Sequence, residues 1–142
     1  MKKIAIVSII DVDSFFQFAT KKILEASQKV ENILQFHDGE EALEYFITYK
    51  DDEEKTPDLV FLDLNMPYMD GWQFLDEFTA NQFKKESITI YICTSTTSTL
   101  DQEKFNTYPK LKGYLIKPIS KLDFAKTWKR ESRDPLSKTQ NV

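Results

Sequence analysis

One cysteine, Cys93, and one histidine, His37, are all that 142 residues hold of either type. A lone cysteine cannot close an internal disulfide, which suits a reducing compartment, and a cytoplasmic location is expected. His37 precedes a helix start and has no second ligand near it, which argues against a metal role. No apolar run approaches the length of a membrane span. A short apolar stretch follows Lys2 and Lys3, but Asp11 and Asp13 interrupt it and no small-residue cleavage site follows. Basic charge is not in excess either. With 19 Lys+Arg against 23 Asp+Glu the formal net charge is -4 and the pI about 5.1, the wrong balance for direct nucleic-acid contact. Neither repeats nor low-complexity tracts occur. The length suits one domain with a sizeable core.

What is present is organised around Leu59-Val60-Phe61-Leu62-Asp63-Leu64-Asn65-Met66-Pro67, closed by Asp70-Gly71. Four apolar residues in a row, too few for a helix, predict a strand buried on both faces, as in parallel sheets. The strand runs into Asp63. A carboxylate at the carboxyl end of a central strand lies at the crevice where open α/β sheets bind ligands. Pro67 stops regular structure and Asp70-Gly71 allows a tight turn.

The rest of the chain alternates in the same way. Ile4 to Ile10 predicts a first buried strand, followed by a helix with Phe16, Ala19, Ile23 and Ala26 on its apolar face and Ser14 or Asp13 as cap. Asn32 to Phe36 predicts a weaker strand. Asp38-Gly39-Glu40-Glu41 opens a second helix that buries Ala42, Leu43, Phe46 and Ile47. A third helix over Trp72 to Thr79 buries Phe74, Leu75 and Phe78. Ile88 to Thr94 is strand-like. A fourth helix, about Thr99 to Asn106, has a weak apolar face and is expected to be loosely packed. A last strand, Gly113 to Ile116, runs into Lys117-Pro118, and Leu122, Ala125 and Trp128 mark a final helix. The expected division is one domain over residues 1–129 and a polar tail over 130–142. Trp72, Trp128 and Cys93 are expected to pack in the interior.

Strands and helices alternating about five times imply a parallel sheet covered on both faces by right-handed crossovers. Asp11, Asp63, Thr94 and Lys117 all end predicted strands and so share one sheet edge. Two adjacent carboxylates repel unless a cation intervenes. Mg²⁺ is the natural neutraliser, since it binds through one or two carboxylates plus phosphate oxygens. Lys117 adds a fixed positive charge. Between such cations Asp63 is suited to attack a phosphoryl group, with the Thr94 hydroxyl as a donor to a phosphoryl oxygen.

In the segments Asp63-Leu-Asn-Met-Pro with Asp70-Gly71, Thr94-Ser95, and Gly113-Tyr114-Leu115-Ile116-Lys117-Pro118, the chain resembles a receiver domain of a two-component response regulator, from Lys2 to about Lys129. The resemblance implies a flavodoxin-like doubly wound sheet of five parallel strands in the order 2-1-3-4-5. It implies that Asp63 takes phosphate from a histidine kinase or histidine phosphotransfer protein in a self-catalysed transfer. It also implies Mg²⁺ held by Asp11, Asp63 and the Asn65 backbone carbonyl, and a cis Lys117–Pro118 peptide. Thr94 and Tyr114 correspond to the switch residues, Tyr114 turning inward from a more exposed position. Output would pass through the face made by the fourth helix, last strand and last helix to a downstream protein target. A stand-alone receiver that acts by docking is expected.

One position departs from the family. Its first strand ends in two adjacent acids, and here the pair is Asp11-Val12, so weaker Mg²⁺ binding is expected. The departure admits two rivals. Asp11-Val12-Asp13 also resembles the nucleophile motif of haloacid-dehalogenase-like phosphatases, with Asp11 as nucleophile and Asp13 as acid/base. A receiver-like binding module that works without phosphate is the other.

Overall fold

The computed structural model describes residues 3–133. Residues 134–142, most of the expected tail, lie outside the described residues. Ten elements alternate along the chain: β1 (Ile4–Ile10), α1 (Ser14–Ser27), β2 (Val30–Phe36), α2 (Gly39–Thr48), β3 (Leu59–Leu62), α3 (Gly71–Ala80), β4 (Thr89–Thr94), α4 (Thr99–Phe105), β5 (Leu111–Ile116) and α5 (Lys121–Arg133). The strands form one parallel sheet in the order β2-β1-β3-β4-β5, the flavodoxin-like arrangement that the resemblance to receiver domains implies. Among the described residues no helix is long and apolar enough to cross a membrane.

The pleat of the central strands divides the core in two. Val60 and Leu62 of β3, with Ile90 and Ile92 of β4, join the layer built with α2 and α3. Leu59 and Phe61, with Tyr91 and Cys93, face the opposite way, into the layer with α1 and α5. Side chains alternating across a strand must do this when both faces are covered, and the continuous apolar run of β3 follows from it. Helix starts are fixed by local chemistry. The Asp13 carboxylate accepts from the amides of Phe15 and Phe16, that of Asp38 from Glu41, and Asp70 forms a reciprocal capping box with Gln73, each satisfying N–H groups that the first helical turn leaves open.

Four expectations change. The buried face of α1 is Gln17, Thr20 and Leu24, with Phe16, Ala19 and Ile23 half-buried and Ala26 exposed. Gln17 explains the rotation. Its amide nitrogen donates to the carbonyls of Ile9, Asp11 and Phe36 at 3.2, 3.1 and 2.7 Å, so a polar side chain occupies the core stripe to tie α1 to the ends of β1 and β2. The strands β2 and β5 begin two residues earlier than expected, because ladder pairing with β1 and β4 extends them. Helix α5 continues to Arg133, so the chain from 130 to 133 is helical and not tail.

The fourth change concerns α4. Only Phe105 is buried on it and Leu100 is exposed, the weak apolar face expected. Yet α4 is fastened at its side. Trp72 Nε1 donates to Asp101 Oδ1 at 2.9 Å, Lys104 lies over the Trp72 ring at 5.2 Å, and Tyr108 stacks on that ring at 5.4 Å. The Tyr108 hydroxyl in turn donates to Asp76 Oδ1 at 2.7 Å. Burial, with the Asp76 carboxylate, pushes the Tyr108 hydroxyl up to about 12. Polar and ring contacts to α3 thus stand in for an apolar face.

The loop from β3 to α3 closes through Gly71, whose N–H donates to the Leu64 carbonyl at 2.9 Å. A Cβ at Gly71 would meet the Asp63 carbonyl oxygen at 2.6 Å and Leu64 Cα at 2.8 Å, both backbone atoms with little freedom to yield. Replacing glycine by alanine in a helix is favourable by about 1 kcal/mol, but overpacking against backbone costs about 1–3 kcal/mol and decides the sign. Gly71→Ala is expected to lower the urea midpoint of unfolding; an unchanged or higher midpoint would show that the loop gives way freely.

Candidate functional site

Register brings the site together. Ile10, Leu62 and Ile92 are neighbours across β1, β3 and β4, and Thr94 pairs with Ile116. The ladder then continues one step past the strands. Asp63 N–H donates to the Ile10 carbonyl at 3.0 Å, Asp11 N–H to Phe36 at 3.1 Å and Lys117 N–H to Thr94 at 2.9 Å. Asp11, Asp63, Thr94 and Lys117 are therefore fixed by backbone bonds at one carboxyl edge, as the sequence implies. All but Lys117 are buried.

Lys117 joins the two acids. Its Nζ is 2.7 Å from Asp11 Oδ2 and 3.9 Å from Asp63 Oδ1. A cis peptide links Lys117 to Pro118. The other Asp11 oxygen accepts from Asp13 N–H at 2.9 Å, and Asp63 Oδ1 accepts from Asn65 N–H at 3.3 Å. The Asn65 side chain reaches across to Thr94, donating from Nδ2 to Oγ1 at 3.3 Å, and Thr96 N–H donates to the same oxygen at 3.3 Å. With both interactions accepted, the Thr94 hydroxyl has its own proton to offer.

One ammonium does not neutralise two buried carboxylates. Burial first, and then the neighbouring Asp11 charge, push Asp63 up to about 6 despite Lys117 and the amides of Asn65 and Leu64. Asp11 is also raised, because burial outweighs its hydrogen bond with Lys117. Burial likewise drives the Cys93 thiol up, as befits an inert core residue. The cluster is short of positive charge, and its donors are hard oxygens of the kind that Mg²⁺ takes. Two carboxylates satisfy the minimum for that ion, so the residues fit it, although among the described residues no group of three or more His, Cys, Asp or Glu is placed to hold a metal.

Val12 is half-exposed beside the cluster and adds no oxygen donor. Two sequence expectations turn out differently here. The Asp13 carboxylate is taken up by the α1 cap, so the Asp11/Asp13 pair of the phosphatase reading is not assembled as nucleophile and acid. Tyr114 is already fully inside, its ring edge-on to Phe105 at 5.9 Å and its hydroxyl donating to the Thr96 carbonyl at 3.3 Å; burial and then the Asp101 charge push that hydroxyl up to about 12. The expected exposed starting position is not the one adopted, because β5 places the ring in the space under α4. Two contacts escaped the sequence reading. Phe16, counted as a core residue, carries Lys117 Nζ at 4.3 Å from its ring centroid, and the Asn65 side chain bridges to Thr94. Periodicity does not register either one.

A doubly wound α/β protein with paired acids, a hydroxyl and a lysine at the strand ends is the class that fold and site define. The chain belongs to the response regulator receiver domain family, which matches residues 7–129. It is 43% identical over 75 residues to protein-glutamate methylesterase/protein-glutamine glutaminase 3 of Geobacter sulfurreducens, covering 53% of this chain and 18% of that protein. It is 32% identical over 91 residues to the probable methanogenesis regulatory protein FilR2 of Methanothrix harundinacea, covering 63% of this chain and 57% of that one. The chain thus spans less than two thirds of either relative. The crystal structure of a two component response regulator from Cytophaga hutchinsonii superposes with a TM-score of 0.82 at 23% identity, over 94% of this chain and 100% of that one. This is the receiver domain of a two-component response regulator.

The raised Asp63 carboxyl has a consequence for stability. Its folded value, about 6, exceeds the unfolded value near 3.8. The folded state therefore holds the extra proton between those limits, and stability falls as pH rises from about 4 to about 6 and then levels. Asp63→Asn removes this penalty. The variant is expected to be more stable than the parent at pH 7 by about 1–3 kcal/mol, the advantage shrinking toward pH 4. Thermal unfolding across that range checks it, and a constant difference would show that the Asp63 charge is not the cause.

Proposed function

We propose that this receiver accepts a phosphoryl group on Asp63 and signals by docking to a protein target. The observation that carries the reading is the Lys117 ammonium lying between Asp11 and Asp63 at 2.7 and 3.9 Å. An Asp63 carboxylate oxygen attacks phosphorus while the bond from phosphorus to the donor breaks. The donor, a phosphohistidine of a histidine kinase or phosphotransfer protein whose other ring nitrogen carries a proton, leaves as neutral imidazole, the electron pair of the broken P–N bond staying on nitrogen. Lys117 and the Thr94 hydroxyl stabilise the equatorial oxygens. Mg²⁺, when bound by the Asp11 and Asp63 carboxylates and the Asn65 backbone carbonyl, supplies further neutralisation of those oxygens.

The surroundings support a partner docking over Asp63. Six large hydrophobic side chains are exposed among the described residues: Val12, Phe15, Phe18, Tyr68, Leu100 and Leu122. All stand in loops or early helical turns that follow the strands at the carboxyl edge. Tyr68 is 94% exposed and holds a left-handed backbone at φ 69, a conformation that costs a non-glycine residue about 1–2 kcal/mol and that clusters at functional loops. An apolar rim of this kind suits a protein donor better than a small one. On phosphorylation the Thr94 hydroxyl turns to the new oxygens and draws on the Thr94–Ser98 loop. Tyr114, bonded to Thr96 in that loop, passes the change to the face of α4, β5 and α5.

Val12 favours a second reading, in which the domain docks to its partner without phosphate. Incubation with acetyl phosphate and Mg²⁺ decides between them. One added phosphoryl mass is expected on the parent and none on Asp63→Asn; an unmodified parent that still binds its partner would establish the second reading.

The Val12 position has its own test. Loss of a charged ligand comparable to a charged hydrogen bond, about 1.5–3 kcal/mol, corresponds to roughly tenfold or more in affinity. Val12→Asp is expected to lower the Mg²⁺ concentration for half-maximal binding by that factor in a titration. Equal affinities would place the side chain of residue 12 away from the metal.

A further inference from the structure

We infer that Phe16 is a positioning residue for Lys117, its ring holding the ammonium in the acceptor pocket where a second strand-end acid is missing. The role rests on the reading of Asp63 as phosphoacceptor. Lys117 Nζ has three partners: Asp11 Oδ2 at 2.7 Å, Asp63 Oδ1 at 3.9 Å and the Phe16 ring at 4.3 Å from its centroid. Within about 6 Å the face of an aromatic ring attracts a cation through its quadrupole, more strongly when the pair is withdrawn from water. Here the lysine side chain is only 18% exposed. A flexible four-carbon stem has many rotamers to lose, so an ammonium aimed at two acids needs a third constraint.

The ring is itself placed by the site. Asp11 Oδ1 accepts from Asp13 N–H, and the Asp13 carboxylate accepts from the amides of Phe15 and Phe16 at 2.9 and 3.3 Å. A chain of short contacts therefore runs from Asp11 through the α1 cap to Phe16 and back to Lys117. This gives Asp13 a use that neither metal ligation nor acid catalysis requires of it. Phe15 and Phe18 on the same helix face solvent, whereas Phe16 packs partly against the layer under β1 and β5. Plain packing is the competing account of Phe16, and an aliphatic side chain would serve it equally well. Only a ring face serves the lysine.

The test separates these. Phe16→Leu and Phe16→Met keep apolar bulk and lose the ring; Phe16→Tyr keeps the ring. In the unphosphorylated chain the Lys117 ε-methylene protons are expected to be shifted upfield by the ring in the parent and in Phe16→Tyr, and to return to ordinary positions in the other two. Phosphate uptake from acetyl phosphate is expected to slow roughly three- to tenfold in Phe16→Leu and Phe16→Met, the scale of a partly buried cation–π contact. In Phe16→Tyr it stays within about twofold of the parent. Uptake at the parent rate in either folded aliphatic variant, or a tyrosine variant as slow as they are, overturns the role. A parent that takes up no phosphate overturns the acceptor reading and this role with it, and it is told apart from a failure at Phe16 alone by an unmodified parent mass.

Discussion

The Lys117 ammonium between two buried carboxylates is the interaction on which the carboxyl edge depends. Asp11 and Asp63 are almost fully withdrawn from solvent, and without a cation between them they would repel across adjacent strand ends. The 2.7 Å contact to Asp11 and the looser 3.9 Å approach to Asp63 leave one cation between two acids, and burial, followed by the Asp11 charge, holds the Asp63 carboxyl raised. A buried ion pair of this sort is weak evidence of stability. It is better understood as tension kept at a functional site, relieved by whatever brings positive charge or removes negative charge.

That tension is held by rigid parts. The central strand β3 is buried on both faces, and its last residue passes the ladder on to Asp63. The loop beyond is closed by Gly71 against the Asp63 and Leu64 backbone, and Trp72, the next residue, grips α4 through Asp101 and Lys104 and the turn after it through Tyr108. Helix α4 thus has little apolar anchorage of its own and is tied instead to the residue that follows the loop after β3. Contacts also run from Asp63 through Asn65 to Thr94, and from Thr94 through Thr96 to Tyr114. At the opposite edge of the sheet, Lys85 is paired with Asp58 at 3.3 Å and donates to the Thr56 carbonyl, a tie that bears on the fold and not on the site.

Most of the fold was legible from the chain because it follows from local periodicity. Buried parallel strands read as apolar runs and their helices as stripes, and right-handed crossovers cover both faces of the sheet; the strand order came only with the resemblance to receiver domains. The strand-end residues Asp11, Asp63, Thr94 and Lys117 were legible for the same reason, since a strand's end is a sequence property once the strand is recognised. Helix α1 was misread because its core stripe contains Gln17, a polar residue that belongs there only when three carbonyls from β1, its end and β2 converge on it. Spacing carries no information about such convergence.

The sequence alone determined the doubly wound sheet, the composition of its carboxyl edge and the missing acid at Val12, because each depends on residue type and order. Only the tertiary structure decided which of two acids Lys117 leans on, that Tyr114 already lies inside, and that Phe16 lies against the ammonium. These are matters of distance between side chains brought from strands and helices far apart in the chain, as Lys117 and Asp11 are across 106 residues. The backbone ladder sets where such side chains start, but their final contacts are set by packing, burial and charge acting together.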